Sequence, residues 1–157
     1  MEITMKVFAI ALLLIALCYP VGAADQFVGT YKLNSAKSTT SGGQVPTDLT
    51  LTISEDGGNL LIRTAAKAAD GSVLPSDVLT VPKAGGTVKA PQGASYDSTK
   101  VSRKDTNTID VVAMQNGKER TRVKFALSRD GKTLTRSFTS TNAKGQPVNG
   151  TSVLERE

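Results

Sequence analysis

Short stretches of strictly alternating side chains, broken by two-residue turn signals, leave this chain few folds to adopt. Asp48 to Ser54 sets Leu49, Leu51 and Ile53 on one face and Thr50, Thr52 and Ser54 on the other, the period of two of a half-buried strand. It runs into Glu55-Asp56-Gly57-Gly58-Asn59, and Leu60 to Ala66 returns. The same unit recurs down the chain. Tyr96 to Lys104 and Asn107 to Gln115 flank Asp105-Thr106; Asn116-Gly117 leads into Glu119 to Ser128, Asp130-Gly131 into Lys132 to Thr141, and Lys144-Gly145 into Val148 to Arg156. Asp-Gly, Asn-Gly and Gly-Gly pairs supply the positive φ that tight hairpins need. With Phe27 to Leu33 and Asp77 to Val81 added, the pattern predicts roughly nine strands and no helix. Such a meander removes its edges by rolling up. The expected fold is therefore all-β, an antiparallel up-and-down barrel of about 8–10 strands. Two stretches lack a period: Asn34 to Thr47, rich in Ser, Thr and Gly, and Pro82 to Pro91, which reads as a loop or a frayed edge strand.

The absent residue types narrow the function. The 157 residues contain no histidine and no tryptophan, and the single cysteine is Cys18. Imidazole bases, thiol nucleophiles and the usual zinc and haem sites are thereby excluded from the barrel, and no metal or cofactor is expected. The acids Asp56, Asp70, Asp105 and Asp130 lie in turns, where Asp bonds the local backbone, so no acid pair suggests catalysis. The net charge of +5 is scattered, and three Tyr and four Phe are too few for a nucleic-acid surface.

The first residues read as a leader. Lys6 precedes an apolar run from Val7 to Leu17, with Pro20 and the small residues Gly22, Ala23 and Ala24 beyond it. The run is shorter than the roughly 20 residues that a membrane-spanning helix needs. Residues 1–23 are expected to form a signal peptide cut after Val21-Gly22-Ala23, leaving 24–157 as one exported domain, periplasmic or secreted, with no stable membrane insertion. Leu17 stands where a lipoprotein signal wants a small residue, so Cys18 reads as part of the apolar run.

Phe27, Gly29, Tyr31 and Leu33 share one face of the opening strand. A glycine between two aromatics there marks a site of close approach. This segment resembles the first strand of the calycins, the lipocalins and fatty-acid-binding proteins, in which a Gly-x-Trp pair closes the barrel floor; Tyr31 stands where the tryptophan would be. With the repeated hairpins and the ending Ser152-Val153-Leu154-Glu155-Arg156, the chain is similar to bacterial exported proteins described as lipocalin-like domains. The resemblance implies a container for a small apolar or amphipathic ligand, without catalysis. A barrel whose interior is filled, acting through its surface on a protein or polysaccharide, is the alternative. Nothing between Asn34 and Thr47 supplies the apolar face of the helical lid that fatty-acid-binding proteins carry at this point.

Arg136 is the residue that carries chemistry. It shares the inward face of its strand with Leu134 and Phe138, and a buried guanidinium requires an anion, a carbonyl or an aromatic face. The resemblance offers two uses. Arg136 stacks on Tyr31 as the barrel floor, or it holds a ligand's carboxylate. Fatty-acid-binding proteins also hold a carboxylate with an Arg-x-Tyr pair in the last strand, and here Ser152 and Leu154 take those positions. With that clamp missing and Arg136 shared with the floor, a ligand would be held by shape, an acid and its ester binding alike. The residues expected to line a cavity or its floor are Tyr31, Leu51, Ile53, Val123, Phe125, Leu134, Arg136 and Phe138.

Overall fold

The computed structural model describes residues 23–41, 46–74, 76–142 and 144–157. The predicted leader, apart from Ala23, lies outside them. The strands are β1 (Gly29–Leu33), β2 (Thr39–Ser41), β3 (Asp48–Asp56), β4 (Asn59–Lys67), β5 (Asp77–Pro82), β6 (Gly86–Lys89), β7 (Ser98–Asp105), β8 (Thr108–Gln115), β9 (Lys118–Leu127), β10 (Thr133–Thr141) and β11 (Pro147–Arg156). All pair antiparallel, in the order β5-β4-β3-β1-β11-β10-β9-β8-β7-β6, with β2 pairing with β11 off this path. The path curls into a nearly closed barrel. No ladder joins its two ends, β5 and β6, although a tight turn in which the Gly85 amide donates to the Pro82 carbonyl links them in sequence.

The hairpins form where the turn chemistry places them. Asn116 and Gly117 both have positive φ, 51° and 74°, the pair of left-handed residues that matches the twist of the flanking strands. Two short strands stand where the sequence lacked a period: β2, after a 3-10 turn at Ser35–Lys37, and β6 along the open edge. Among the described residues of this stretch no apolar lid covers the barrel, since the 3-10 turn buries no residue.

Alternation sends one face of each strand inward, and the interior divides into two levels. Phe27, Tyr31, Ile53, Leu60, Ile109, Leu134 and Leu154 are essentially inaccessible and pack as one cluster toward one end. Each such side chain contributes about 1.5–3 kcal/mol on leaving water, so this end anchors the fold. Toward the other end the inward side chains become smaller and more polar: Thr64 on β4, Thr99 on β7, Ala113 on β8, Thr121 on β9 and Ser152 on β11. Small side chains cannot fill the bore of a barrel this size, and a chamber results.

Candidate functional site

The packed end is closed by two arginine–aromatic pairs. Tyr31 lies opposite Arg156 in the β1–β11 ladder, and the Arg156 guanidinium sits 4.8 Å from the Tyr31 ring centre. Arg156 spends its donors on fixed partners: Nε on the Gly131 carbonyl at 2.6 Å, Nη1 on the Val28 carbonyl at 2.7 Å, Nη2 on the Gln26 carbonyl at 2.6 Å and on the Tyr31 hydroxyl. That hydroxyl donates in turn to the Phe27 carbonyl at 2.9 Å. Burial pushes the Tyr31 phenol up despite the nearby Arg156 charge. Gly29 makes the arrangement possible, because a Cβ there would lie 2.7 Å from Arg156 Nη1. Beside it, Arg103 reaches Asp25 through both terminal nitrogens and lies 5.5 Å from the Phe27 ring centre. Burial alone would raise the Asp25 carboxyl, but the bonds from Arg103 and the Phe27 amide hold it below its usual value.

The expected pairing of Arg136 with Tyr31 is therefore corrected. Arg136 pairs across β10 with Phe125 and Ser152, two inward rows from Arg156, or about 13 Å along the strand. Strand β11 stands between β10 and β1, so the floor arginine comes from β11 itself. Arg156 has the same parity as Leu154, and that was the signal available in the sequence.

Arg136 instead faces the chamber. A cavity of about 240 Å³ is lined by Arg136 with Ile62, Thr64, Asp77, Leu79, Ser95, Tyr96, Thr99, Val111, Ala113, Thr121, Val123 and Phe125. The guanidinium lies 5.4 Å from the Phe138 ring centre, and Phe138 finds its room over Gly150, where a Cβ would meet the ring at 2.7 Å. Among the described residues Arg136 has no hydrogen-bond or ion-pair partner, while no fully enclosed side-chain nitrogen or oxygen lacks one. Its N–H groups accordingly open onto the cavity. Burial draws the Arg136 guanidinium below its ordinary range, yet an arginine keeps its charge. The chamber thus holds a partly buried cation, the carboxylate-bearing Asp77, the threonines Thr64, Thr99 and Thr121, and an apolar wall of Ile62, Leu79, Val111, Val123 and Phe125.

Of the eight residues named from sequence, Val123, Phe125 and Arg136 line this cavity and Phe138 stacks on Arg136. Tyr31, Leu51, Ile53 and Leu134 belong to the packed cluster. Sequence reasoning passed over Thr64, Thr99 and Thr121, which inward parity marks, and Tyr96, which lies before β7 rather than in it. A larger depression beside Lys32–Ala36 and Glu155–Glu157 is an open surface hollow without an apolar wall.

No protein-family model and no curated protein sequence matches the chain. Solved structures do. Apo lipid-binding protein 8 of Caenorhabditis elegans superposes with a TM-score of 0.54 at 15% identity, covering 84% of this chain and 96% of that one. The ileal bile-acid-binding protein of zebrafish with cholic acid gives 0.49 at 13% identity, covering 84% and 99%, and lobster apocrustacyanin A1 gives 0.42 at 10%, covering 84% and 61%. The first of these likenesses shows a shared fold, a calycin-type barrel, and at that identity the fold alone.

Proposed function

We propose that this barrel binds one small amphipathic anion in its chamber, the acidic group on Arg136 and the apolar part against Val111, Val123 and Phe125, and that it carries out no reaction on it. The observation that supports this reading most directly is the inward guanidinium that, beside the Phe138 ring, has no hydrogen-bond or ion-pair partner among the described residues. A ring face is worth about 1–2 kcal/mol to a partly buried cation and leaves its N–H groups unbonded, and a bound anion would satisfy them. Thr64 and Thr99, which line the same cavity, carry hydroxyls suited to the remaining acceptors of a carboxylate. One solved structure whose fold it shares is a lipid-binding protein, which agrees with a container. We read residues 1–23 as an export signal, which would put this activity outside the cytoplasm.

Because Arg156 and not Arg136 serves the floor, the expectation that acid and ester bind alike is reversed. Octanoate should bind at least tenfold more tightly than its methyl ester, since a charged hydrogen bond is worth about 1.5–3 kcal/mol. Titration calorimetry on the wild type and on Arg136→Met tests this. Loss of the acid preference in the variant supports the reading. Equal binding of acid and ester by the wild type, or binding of neither, would overturn it and leave the surface-acting scaffold.

A further inference from the structure

Two Asn-Gly pairs occur in the chain, Asn116-Gly117 and Asn149-Gly150, and the fold gives them opposite surroundings. An asparagine before a glycine carries an electrophile, its side-chain amide carbon, next to a nucleophile, the following backbone nitrogen. Glycine leaves that nitrogen unshielded because it has no Cβ. Whether the two meet depends on what holds the backbone. Asn149 and Gly150 lie inside β11, paired with β10 on one side and β2 on the other. The Asn149 side-chain carbonyl accepts from Ser41 Oγ at 2.9 Å, and the Phe138 ring and the Thr39 carbonyl crowd Gly150. Asn116 and Gly117 form the exposed tip of the β8–β9 hairpin, beyond the last ladder pair, Gln115 with Lys118. The Asn116 side chain has no hydrogen-bond partner among the described residues, and its backbone N–H alone is held, by Asp97 Oδ2 at 2.6 Å. Among the described residues it is also the one other than glycine with positive φ, a conformation that crowds an L side chain.

Asp97 carries that bond's effect beyond the turn. Its N–H donates to the Met114 carbonyl at 2.8 Å, and its carbonyl accepts from the Ala90 N–H at 2.9 Å. One residue thus fastens together the end of β8, the chain just past β6 and the tip of the hairpin. The residue before it, Tyr96, lines the chamber.

We infer that Asn116 is a self-modifying site, at which loss of ammonia converts the asparagine to an acid and loosens the chamber wall at Tyr96. The Gly117 nitrogen gives up its proton to hydroxide and bonds to Cγ of Asn116. The bond from Cγ to the side-chain nitrogen breaks, and that nitrogen leaves as ammonia on taking a proton from water. Water then opens the five-membered imide: at Cγ it yields aspartate, at the main-chain carbonyl isoaspartate. One water is consumed for each ammonia released, and no oxidant, reductant or cofactor enters. Either product puts a carboxylate on the residue whose N–H holds the Asp97 carboxylate, and like charges so placed repel. Isoaspartate in addition lengthens the main chain of a two-residue turn by one carbon. The tie between the turn and Asp97 weakens in both cases, and Tyr96 loses a neighbour that fixes its backbone.

The full chain is aged in mildly alkaline buffer, folded and in parallel unfolded in urea, and each asparagine is followed by peptide mass spectrometry with fragmentation. In the folded chain Asn116 should convert roughly tenfold or more faster than Asn149, because the first needs only the turn to open and the second needs β11 to leave two ladders. In urea the two should convert at similar rates. Hydrogen exchange and proton NMR then compare the fresh protein, the aged protein and Asn116→Asp. The Asp97 and Ala90 amides should exchange about fivefold faster in the last two, and the ring signals of Tyr96 should move while those of Tyr31 stay. Asn116→Gly, which suits the same turn, should age without either change. No ligand enters these measurements, so they bear on the turn and not on Arg136. Equal conversion of Asn116 and Asn149 in the folded chain, or none at Asn116 while the unfolded chain converts, would overturn the site. Conversion at Asn116 with unchanged exchange at Asp97 would overturn its link to the chamber wall.

Discussion

Arg156 and Arg136 face the interior of the same barrel from neighbouring strands, and each lies beside an aromatic ring, 4.8 Å from that of Tyr31 and 5.4 Å from that of Phe138. Their surroundings differ in every other respect. Arg156 donates to three backbone carbonyls and a phenol, whereas Arg136 opens onto a cavity. The first charge is a structural cross-link between the two ends of the chain. The second has the Phe138 ring beside it and no hydrogen-bond partner among the described residues. Residue type and parity are shared, so the difference comes from what the tertiary fold sets around each one.

The comparison breaks first at Arg156. Arg156→Met should strand three carbonyls and the Tyr31 hydroxyl and cost about 3–5 kcal/mol, read as a lower midpoint in urea unfolding. A loss below about 1 kcal/mol would mean that the floor does not depend on it. Next comes Asp25, whose carboxyl is held below its usual value in the folded state. The unfolded chain then binds the proton more tightly, so the contribution is present above about pH 4 and is lost as pH falls through the folded value. Asp25→Asn should cost about 1.5–3 kcal/mol at pH 7 and flatten the acid limb of the stability profile relative to the wild type. Unchanged acid limbs in parallel unfolding series would show that Arg103 gains nothing from this partner.

Gly29→Ala places a methyl 2.7 Å from the Arg156 guanidinium at a residue whose φ is +155°, and should cost about 1–3 kcal/mol through crowding and backbone strain. Combined with Arg156→Met, its effect should shrink, and additive losses in the double mutant would place the strain elsewhere. The smallest effect is expected at Arg136. Arg136→Met should change stability by less than about 1 kcal/mol, or raise it, because an apolar side chain replaces an unpaired charge at little loss of volume. A large loss there would make Arg136 structural after all and erase the contrast.

Much of this molecule was legible from sequence because its determinants are local. Asn116-Gly117 specified its hairpin, and the alternation of Leu49, Leu51 and Ile53 specified an inward face that the fold keeps. The glycine between Phe27 and Tyr31 marked a close approach, and one exists. What approaches it was not legible, because Arg156 lies more than a hundred residues away and only the β1–β11 pairing makes them neighbours. The surroundings of Arg136 were hidden for the same reason. Its strand gave the direction of the side chain, but whether Tyr31, a ligand or water stands in that direction depends on which strands are inserted between β10 and β1. Tyr96 escaped notice because it was read as the start of a strand, where its parity is opposite to that of Thr99 and Val101, whereas it lies in the connection before β7, which begins at Ser98.

The guanidinium of Arg156 also sets the order in which the molecule can be completed. Its partners Gln26, Val28 and Tyr31 are 125 to 130 residues earlier in the chain. Synthesis runs from the amino terminus at about 5–20 residues per second, so the hairpins from β3 to β10 can form while the chain is being made. Strand β1 meanwhile has only β3 for a neighbour, and the ring around Tyr31 stays open on one side. Closure waits until Arg156 has been made and then requires a contact of very large sequence separation, the kind that slows folding most. A chain released before Arg156 would have its meander and no floor.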